Sequence, residues 1–367
     1  MNVLDGYTEM VPNPHAIRKP RAFLWQLRAL GWITNRISLR LPLTRWLVLG
    51  AALVMAPCAK AQMSDTLSIA FLSDTQDRTW YEALVLRTYH NSLAREMILG
   101  EILDRQPRAV VHLGDIVSAG SESERWRRID RFTDSLGAKA IRFLPIRGNH
   151  DHFYFPAWGN RNFEKRYPHM SRTGTVVRYG TTAIVLLNSN FLHLTETEQQ
   201  SQSAWYKNTL SALDADSSVE FVIVGCHHSP YTNSTIVPPS SEVDTAFVPT
   251  YLEARKAVLF ISGHAHAYEH FRRAGKDFLV IGGGGGLLQP LLTGAKRRYE
   301  DLFVAEGKTR MHHYLWCNIR PGRLRFEVRM VRQDLSGFDS VDSLEFTLPK
   351  HAATVAGKKE HPIAVTR

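Results

Sequence analysis

The strongest constraint on this chain is a repeated local grammar. A short apolar run is broken at once by turn residues and by side chains able to hold a metal. Leu67–Leu72 is followed by Ser73-Asp74-Thr75-Gln76-Asp77, and Ala109–Leu113 by Gly114-Asp115. Ala140–Ile146 runs into Arg147-Gly148-Asn149-His150-Asp151, Phe221–Val224 into Gly225-Cys226-His227-His228, and Ala257–Ile261 into Ser262-Gly263-His264-Ala265-His266. Apolar runs of this length, bounded by turn residues, read as buried strands. Between them Tyr89–Arg105, Ser121–Leu136 and Thr195–Leu213 have helical periodicity, whereas Phe278–Ile281, His312–Ile319, Arg323–Val331 and Leu344–Leu348 read as strands alone. Alternating strands and helices that give way to strands predict one α/β sandwich, with sheets packed between helices. Ligands in such folds gather beyond the carboxyl ends of the strands, where these polar residues stand.

The donor chemistry narrows what gathers there. Two carboxylates, an amide and three or four imidazoles suit Mn, Fe or Zn better than calcium, which prefers oxygen alone. The set exceeds what one tetrahedral ion needs. Two ions bridged by one carboxylate account for the count, and such a pair activates water against a phosphoryl centre.

The ordered motifs, G-N-H-D and G-H-A-H above all, resemble those of the calcineurin-like metallophosphoesterases across roughly Leu67 to Gly286. The resemblance implies a four-layer αββα fold. It further implies that Asp74 and His266 hold the first metal, that Asp115 bridges, and that Asn149, His227 and His264 hold the second. His150 then protonates the leaving group or stabilises the transition state. His227-His228-Ser229-Pro230-Tyr231 and Gly263–Glu269 resemble the purple acid phosphatase branch of the family in particular. Three positions depart from these patterns. Ser118 stands where that branch has a tyrosine iron ligand, Asp151 where its third motif usually has glutamate, and Gln76 where many family members have histidine. Gln76 is either a weak oxygen ligand or no ligand. His228 and Arg147 are the candidate substrate contacts, and Trp80-Tyr81 a candidate pocket wall. The Gly282–Gly286 run reads as a tight turn beside the metals in preference to a phosphate cradle, and His312-His313, outside every motif, as structural.

The net charge of +10 suggests an anionic partner until it is located. Residues 1–61 hold eight Lys/Arg against Asp5 and Glu9, and residues 350–367 hold four against Glu360, which leaves 62–349 at +1. A nearly neutral body argues against long nucleic acid as a partner. The apolar stretch Trp46–Ala56, preceded by Arg40 and Arg45 and followed by Ala59-Lys60-Ala61, reads as an export signal. Its rivals are an uncleaved membrane anchor and a lipid anchor at Cys58, which Pro57 disfavours. Three cysteines cannot make a disulfide scaffold, and Cys226 and Cys317 read as buried small hydrophobes in preference to a pair.

The expected organisation is therefore a basic leader over 1–61, one phosphoesterase domain over 62–349 and a polar tail over 350–367. The expected activity is that of an exported, periplasmic or extracellular enzyme that hydrolyses small phosphomonoesters. A metal-bridging hydroxide attacks phosphorus, with Asp115 and His150 as catalytic groups. A phosphodiesterase or nucleotide pyrophosphatase on the same metals is the first alternative. A catalytically weakened phosphate-binding surface protein is the second.

Overall fold

The computed structural model describes residues 66–79, 82–86, 90–305 and 307–348. The leader, Trp80-Tyr81 and the tail, with the expectations placed on them, lie outside the described residues.

Among the described residues two six-stranded mixed sheets form the fold. In chain order the elements begin with β1 (Leu67–Leu72), α1 (Glu82–Val85), α2 (Asn91–Arg105), β2 (Ala109–His112), α3 (Arg127–Ala138), β3 (Arg142–Pro145) and α4 (Pro156–Arg166). They continue with β4 (Gly174–Tyr179), β5 (Thr182–Leu187), α5 (Glu196–Ala215), β6 (Phe221–Gly225), α6 (Ser241–Ala246), α7 (Val248–Glu253) and β7 (Ala257–Ser262). The last are β8 (Tyr268–Arg273), β9 (Lys276–Ile281), β10 (His313–Arg320), β11 (Arg323–Val331) and β12 (Phe338–Thr347). The first sheet runs β12-β11-β10-β1-β2-β3 and the second β4-β5-β6-β7-β9-β8. β1, β2 and β3 are parallel, as are β5, β6, β7 and β9. Every strand end that carries a motif therefore opens on one edge.

β1, β2, β5, β6 and β7 are apolar almost throughout because both faces of the sheets are covered there. In β5, Ile184 and Leu186 join the central core with Ile69, Val111 and Leu144, while Ala183, Val185 and Leu187 pack outward with Tyr206, Leu210 and Leu213 of α5. Each large aliphatic side chain buried this way stabilises the fold by about 1.5–3 kcal/mol. α5 starts at Thr195, whose Oγ1 accepts from the Glu198 N–H while Glu198 Oε2 accepts from the Thr195 N–H. That reciprocal cap is worth about 1 kcal/mol.

The expected sandwich and its main strands stand. Sequence periodicity did not reveal the edge strands β4 and β8, and it began β12 six residues late. An edge strand needs apolar residues on one side only, and β4 and the first half of β12 are largely exposed or half-buried. Cys226 and Cys317 are free, buried and in separate packing clusters, as small core residues would be. No described helix is long and apolar enough to cross a membrane.

Candidate metal centre

The loops beyond β1, β2, β3, β6 and β7 converge. Asp74, Asp115 and His264 sit in left-handed backbone conformations, with φ of 60°, 53° and 68°. Each costs roughly 1–3 kcal/mol for a non-glycine residue, a strain that persists only where neighbouring structure enforces it. The enforcement is visible. The Asp74 N–H donates to Gly114 O at 3.0 Å, and the His264 N–H donates to the Asp74 carboxylate at 3.0 and 3.2 Å. Asp151 accepts from the Gly148 N–H at 2.8 Å and from the Ile116 and Val117 N–H groups, and so ties the loop after β2 to the loop after β3. Arg95, buried in α2, donates to Thr75 O, Gln76 O and Asp77 Oδ1 and holds the first loop from behind.

The side chains follow from that frame. Asp115 Oδ1 accepts from the His150 N–H at 2.8 Å and lies 3.4 Å from His227 Nε2, which is 3.0 Å from Asn149 Oδ1. Asp74 Oδ1 is 3.3 Å from His266 Nε2. His227 Nδ1 is 2.9 Å from Leu113 O, and His266 Nδ1 is 2.7 Å from Leu287 O. Each ring therefore donates through Nδ1–H to a carbonyl and turns the Nε2 lone pair inward, the usual device for orienting a metal-ligating histidine. The Gln76 amide settles with its nitrogen donating to Asp74 O and Asp115 O, at 3.3 and 3.0 Å, and its oxygen 3.1 Å from His266 Nε2. That oxygen then also faces Asp115 Oδ2 at 3.4 Å. Two opposed oxygen acceptors are what a cation between them would relieve.

The two oxygens of Asp115 thus face two halves of the site. One half holds Asp74, Gln76 and His266, the other Asn149, His227 and His264. Donor atoms of Asp74, Asp115 and His227 lie within 4.8 Å of one another, as do those of His227, His228 and His264. The residue types and their aim fit a cation pair of the Mn, Fe or Zn kind. His228 stands nearer the second half than a pure substrate contact requires. Its N–H donates to Ser189 Oγ, which also pairs with its Nδ1, each at 2.9 Å.

Within the site, burial and neighbouring charge together shift each group. Burial alone would raise the Asp115 carboxyl, but the charges of His227 and His150 more than reverse this and hold it well below the usual range. Burial likewise opposes the His227 imidazolium, yet Asp115 beside it raises that ring to about 9. His264 is driven down by burial and by His228 and His227. Burial and then the Asp115 charge raise Asp151 to about 7. A bound cation would take the place of the proton on His227.

Close packing explains the glycines. A Cβ on Gly148 would fall within 3.0 Å of the Asp115 backbone nitrogen and carboxylate. In the Gly282–Gly286 run, a Cβ would meet Ser73 O at Gly284 and the His266 ring at Gly286, so the run is the tight turn expected of it. His312 and His313 lie behind this run, with Nδ1 paired to Gly283 O and Met311 O respectively, away from the motifs.

His150 lies beside Asp115. Its Nδ1 lies 3.2 Å from Ser118 O, its ring rests on Phe153, and its Nε2 is 3.9 Å from Asp115 Oδ2. The Arg147 guanidinium stacks on the Phe163 ring at 4.1 Å and pairs with Glu164 at 3.0 Å, because α4 offers a buried cation both an aromatic face and a carboxylate. The expected phosphate contact is therefore corrected to a structural role. Arg95 and Ser189 escaped the sequence reading, since neither lies in a motif and each acts through a residue distant in the chain.

A family model for the calcineurin-like phosphoesterase matches residues 67–268. No curated protein matches the sequence. Among solved structures, the purple acid phosphatase PPD1 from yellow lupin (Lupinus luteus) superposes with a TM-score of 0.58 at 16% identity. The match covers 77% of this chain and 54% of that one, so this chain spans about half the length of the lupin protein. GAP50, the anchor in the inner membrane complex of Plasmodium, superposes with a TM-score of 0.58 at 16% identity, over 78% of this chain and 90% of that one. Likenesses at this identity speak to the fold alone.

Proposed function

The chain belongs to the calcineurin-like phosphoesterase family, and from that premise we propose that it is an exported phosphomonoesterase working with two bound metal ions. One observation carries the reading: seven donor side chains, Asp74, Gln76, Asp115, Asn149, His227, His264 and His266, converge from both sheets, with His227 and His266 locked to present Nε2. The fold by itself does not decide for catalysis, since an anchor protein shares it. A complete donor set argues for an enzyme over a weakened phosphate-binding protein.

Asp74, Gln76 and His266 would hold one cation, Asn149, His227 and His264 the other, with Asp115 between them. Bound there, the pair supplies Lewis acidity and a water of lowered pKa. The chain's own groups do the rest. His150 has Nδ1–H committed to Ser118 O, so it donates to the departing ester oxygen through Nε2, and only in its doubly protonated form. Asp151 and Arg95 hold the ligand loops in register. Hydrolysis breaks the bond between phosphorus and the alcohol oxygen; water oxygen joins phosphorus, and the alkoxide leaves with a proton. The motifs around His227–Tyr231 and Gly263–Glu269 favour monoesters, and the leader 1–61 supports export.

The test is hydrolysis of a chromogenic monoester and its bis-ester by metal-loaded protein, with metal content measured alongside. Asp115→Ala and His264→Ala should each abolish turnover and lower the metal content. Near-normal turnover in either folded variant would sink the assignment. A faster bis-ester would move it to a phosphodiesterase.

A further inference from the structure

Exposed apolar side chains concentrate at the motif-bearing edge of the molecule. Of the eleven exposed large apolar side chains among the described residues, nine lie on loops or first helical turns beyond this edge; Val176 and Leu348 are the exceptions. Three come from one short stretch that begins four residues after His150. Tyr154, Phe155 and Trp158 are 60, 61 and 60% exposed, and the Phe155 and Trp158 rings lie 5.5 Å apart. Tyr154 holds a left-handed backbone, φ 65°. On the neighbouring loop Leu192 is 98% exposed. The two loops touch, since the His152 and His193 rings stack at 4.2 Å. Exposed apolar patches of this kind mark contact surfaces, and amphipathic aromatic rings suit a boundary between water and hydrocarbon.

Beside the metal centre, and bordered by the Leu192 loop, opens a cavity of about 610 Å³. Asn149, His228 and His264 form one wall, and Phe191, Leu192, Pro238 and Pro239 contribute to the others. Among the described residues no lysine or arginine lines it, and Glu242 does. Arg147, the nearest candidate cation by sequence, is turned onto Phe163 and Glu164. A polyanionic alcohol, such as a nucleotide, would meet no lysine or arginine among these described lining residues and one carboxylate.

We propose that the substrate is an amphiphile: a lipid-like phosphomonoester whose phosphate sits at the metal centre and whose neutral apolar part lies on Tyr154, Phe155, Trp158 and Leu192. The inference rests on the phosphoesterase reading above and names the substrate class of that same site. Apolar surface supplies the affinity for the carrier, and the metal centre acts only on the phosphate.

The experiment compares dioctanoyl phosphatidic acid in mixed detergent micelles with glycerol 3-phosphate, which has the same phosphoester and no chains. A chromogenic monoester reports whether the centre works at all. The wild-type protein should prefer phosphatidic acid by about 100-fold or more in kcat/KM, and Phe155→Ser/Trp158→Ser should cut that ratio at least tenfold. Leu192→Ser, at a fully solvated position, provides a second variant with the same expected direction should the double variant melt early. Equal rates on the two esters, or a ratio that neither folded variant alters, would overturn the substrate class and leave the phosphoesterase reading intact. Failure on all three substrates by metal-loaded protein would instead remove the phosphoesterase reading, and this inference with it.

Discussion

Gly148→Ala tests whether the two ligand loops are as tightly nested as they look. The added Cβ would lie within 3.0 Å of the Asp115 backbone nitrogen, Oδ1 and Cγ, a range real Cβ atoms essentially never show. Two of those atoms are side chain, but the third is backbone already held in a left-handed conformation, so rotation of the carboxylate alone cannot relieve the clash. Asp115 must retreat by about 1 Å to reach ordinary contact. Overpacking of a rigid interior costs about 1–3 kcal/mol. Loss of the His150 N–H bond to Asp115 Oδ1 adds about 1.5–3 kcal/mol, since its acceptor is ionised. A total near 4 kcal/mol lowers the melting temperature by about 10 °C for a domain of this size. A displacement of about 1 Å at a reacting centre costs on the order of 100-fold in rate. The assays are thermal melting, metal content and phosphomonoester turnover. Gly137→Ala in α3 is the control: its Cβ meets nothing within 4 Å, and it should stabilise by about 0.5–1 kcal/mol. If Gly148→Ala melts within about 2 °C of wild type and keeps half its turnover, the close nesting of these loops is not what positions Asp115.

Glu269 is buried in β8, and that burial raises its carboxyl to about 7 from an ordinary 4.5. A carboxyl raised on folding destabilises once ionised, so its contribution is complete below pH 4.5, is lost between 4.5 and 7, and is flat above. Glu269→Gln keeps an acceptor for the Asn233 N–H and should gain on wild type by up to about 3 kcal/mol across that window, read by melting at pH 4.5 and pH 8; an unchanged difference between the two pH values refutes the burial argument. Gln76→His replaces an amide oxygen with an imidazole facing His266 and Asp115 and should tighten zinc binding about tenfold in a competition titration. Weaker binding would mean that the amide's two bonds to Asp74 O and Asp115 O matter more than the donor it offers.

Most of the candidate centre was legible in the sequence, because the donors sit within a few residues of the strand ends and a buried strand announces itself by an unbroken apolar run. Asp74, Asp115, Asn149, His227, His264 and His266, the set that the motif resemblance implied, lie together beyond the strand ends. The direction of a long side chain was not legible. Arg147 follows β3 at once, yet the aromatic face of Phe163 and the charge of Glu164, set by a helix that periodicity missed, draw it away. Gln76 could not be placed from its identity, since either end of an amide can face a site. Two backbone carbonyls decide it by claiming the nitrogen. Arg95 shows the same limit from the other side. It looks like one charge on a helix and proves to hold the first ligand loop through carbonyls that no motif records.

The division of donors between the sheets has a mechanical side. Asp74 and Asp115 belong to one sheet, His227 and His266 to the other, and each half of the centre draws on both. A cation in either half would therefore act as a rivet through the mouth of a two-sheet shell, whose opposite end is joined by side-chain packing and by the Gly322 N–H donating to Glu220 Oε2 at 2.7 Å. Filling the centre at 100 times its dissociation constant would add about 2.7 kcal/mol to global stability. The gain would concentrate at the mouth, so amides at the ends of β2 and β6 should exchange faster when the metals are chelated, while those at the far ends of the same strands keep their rate.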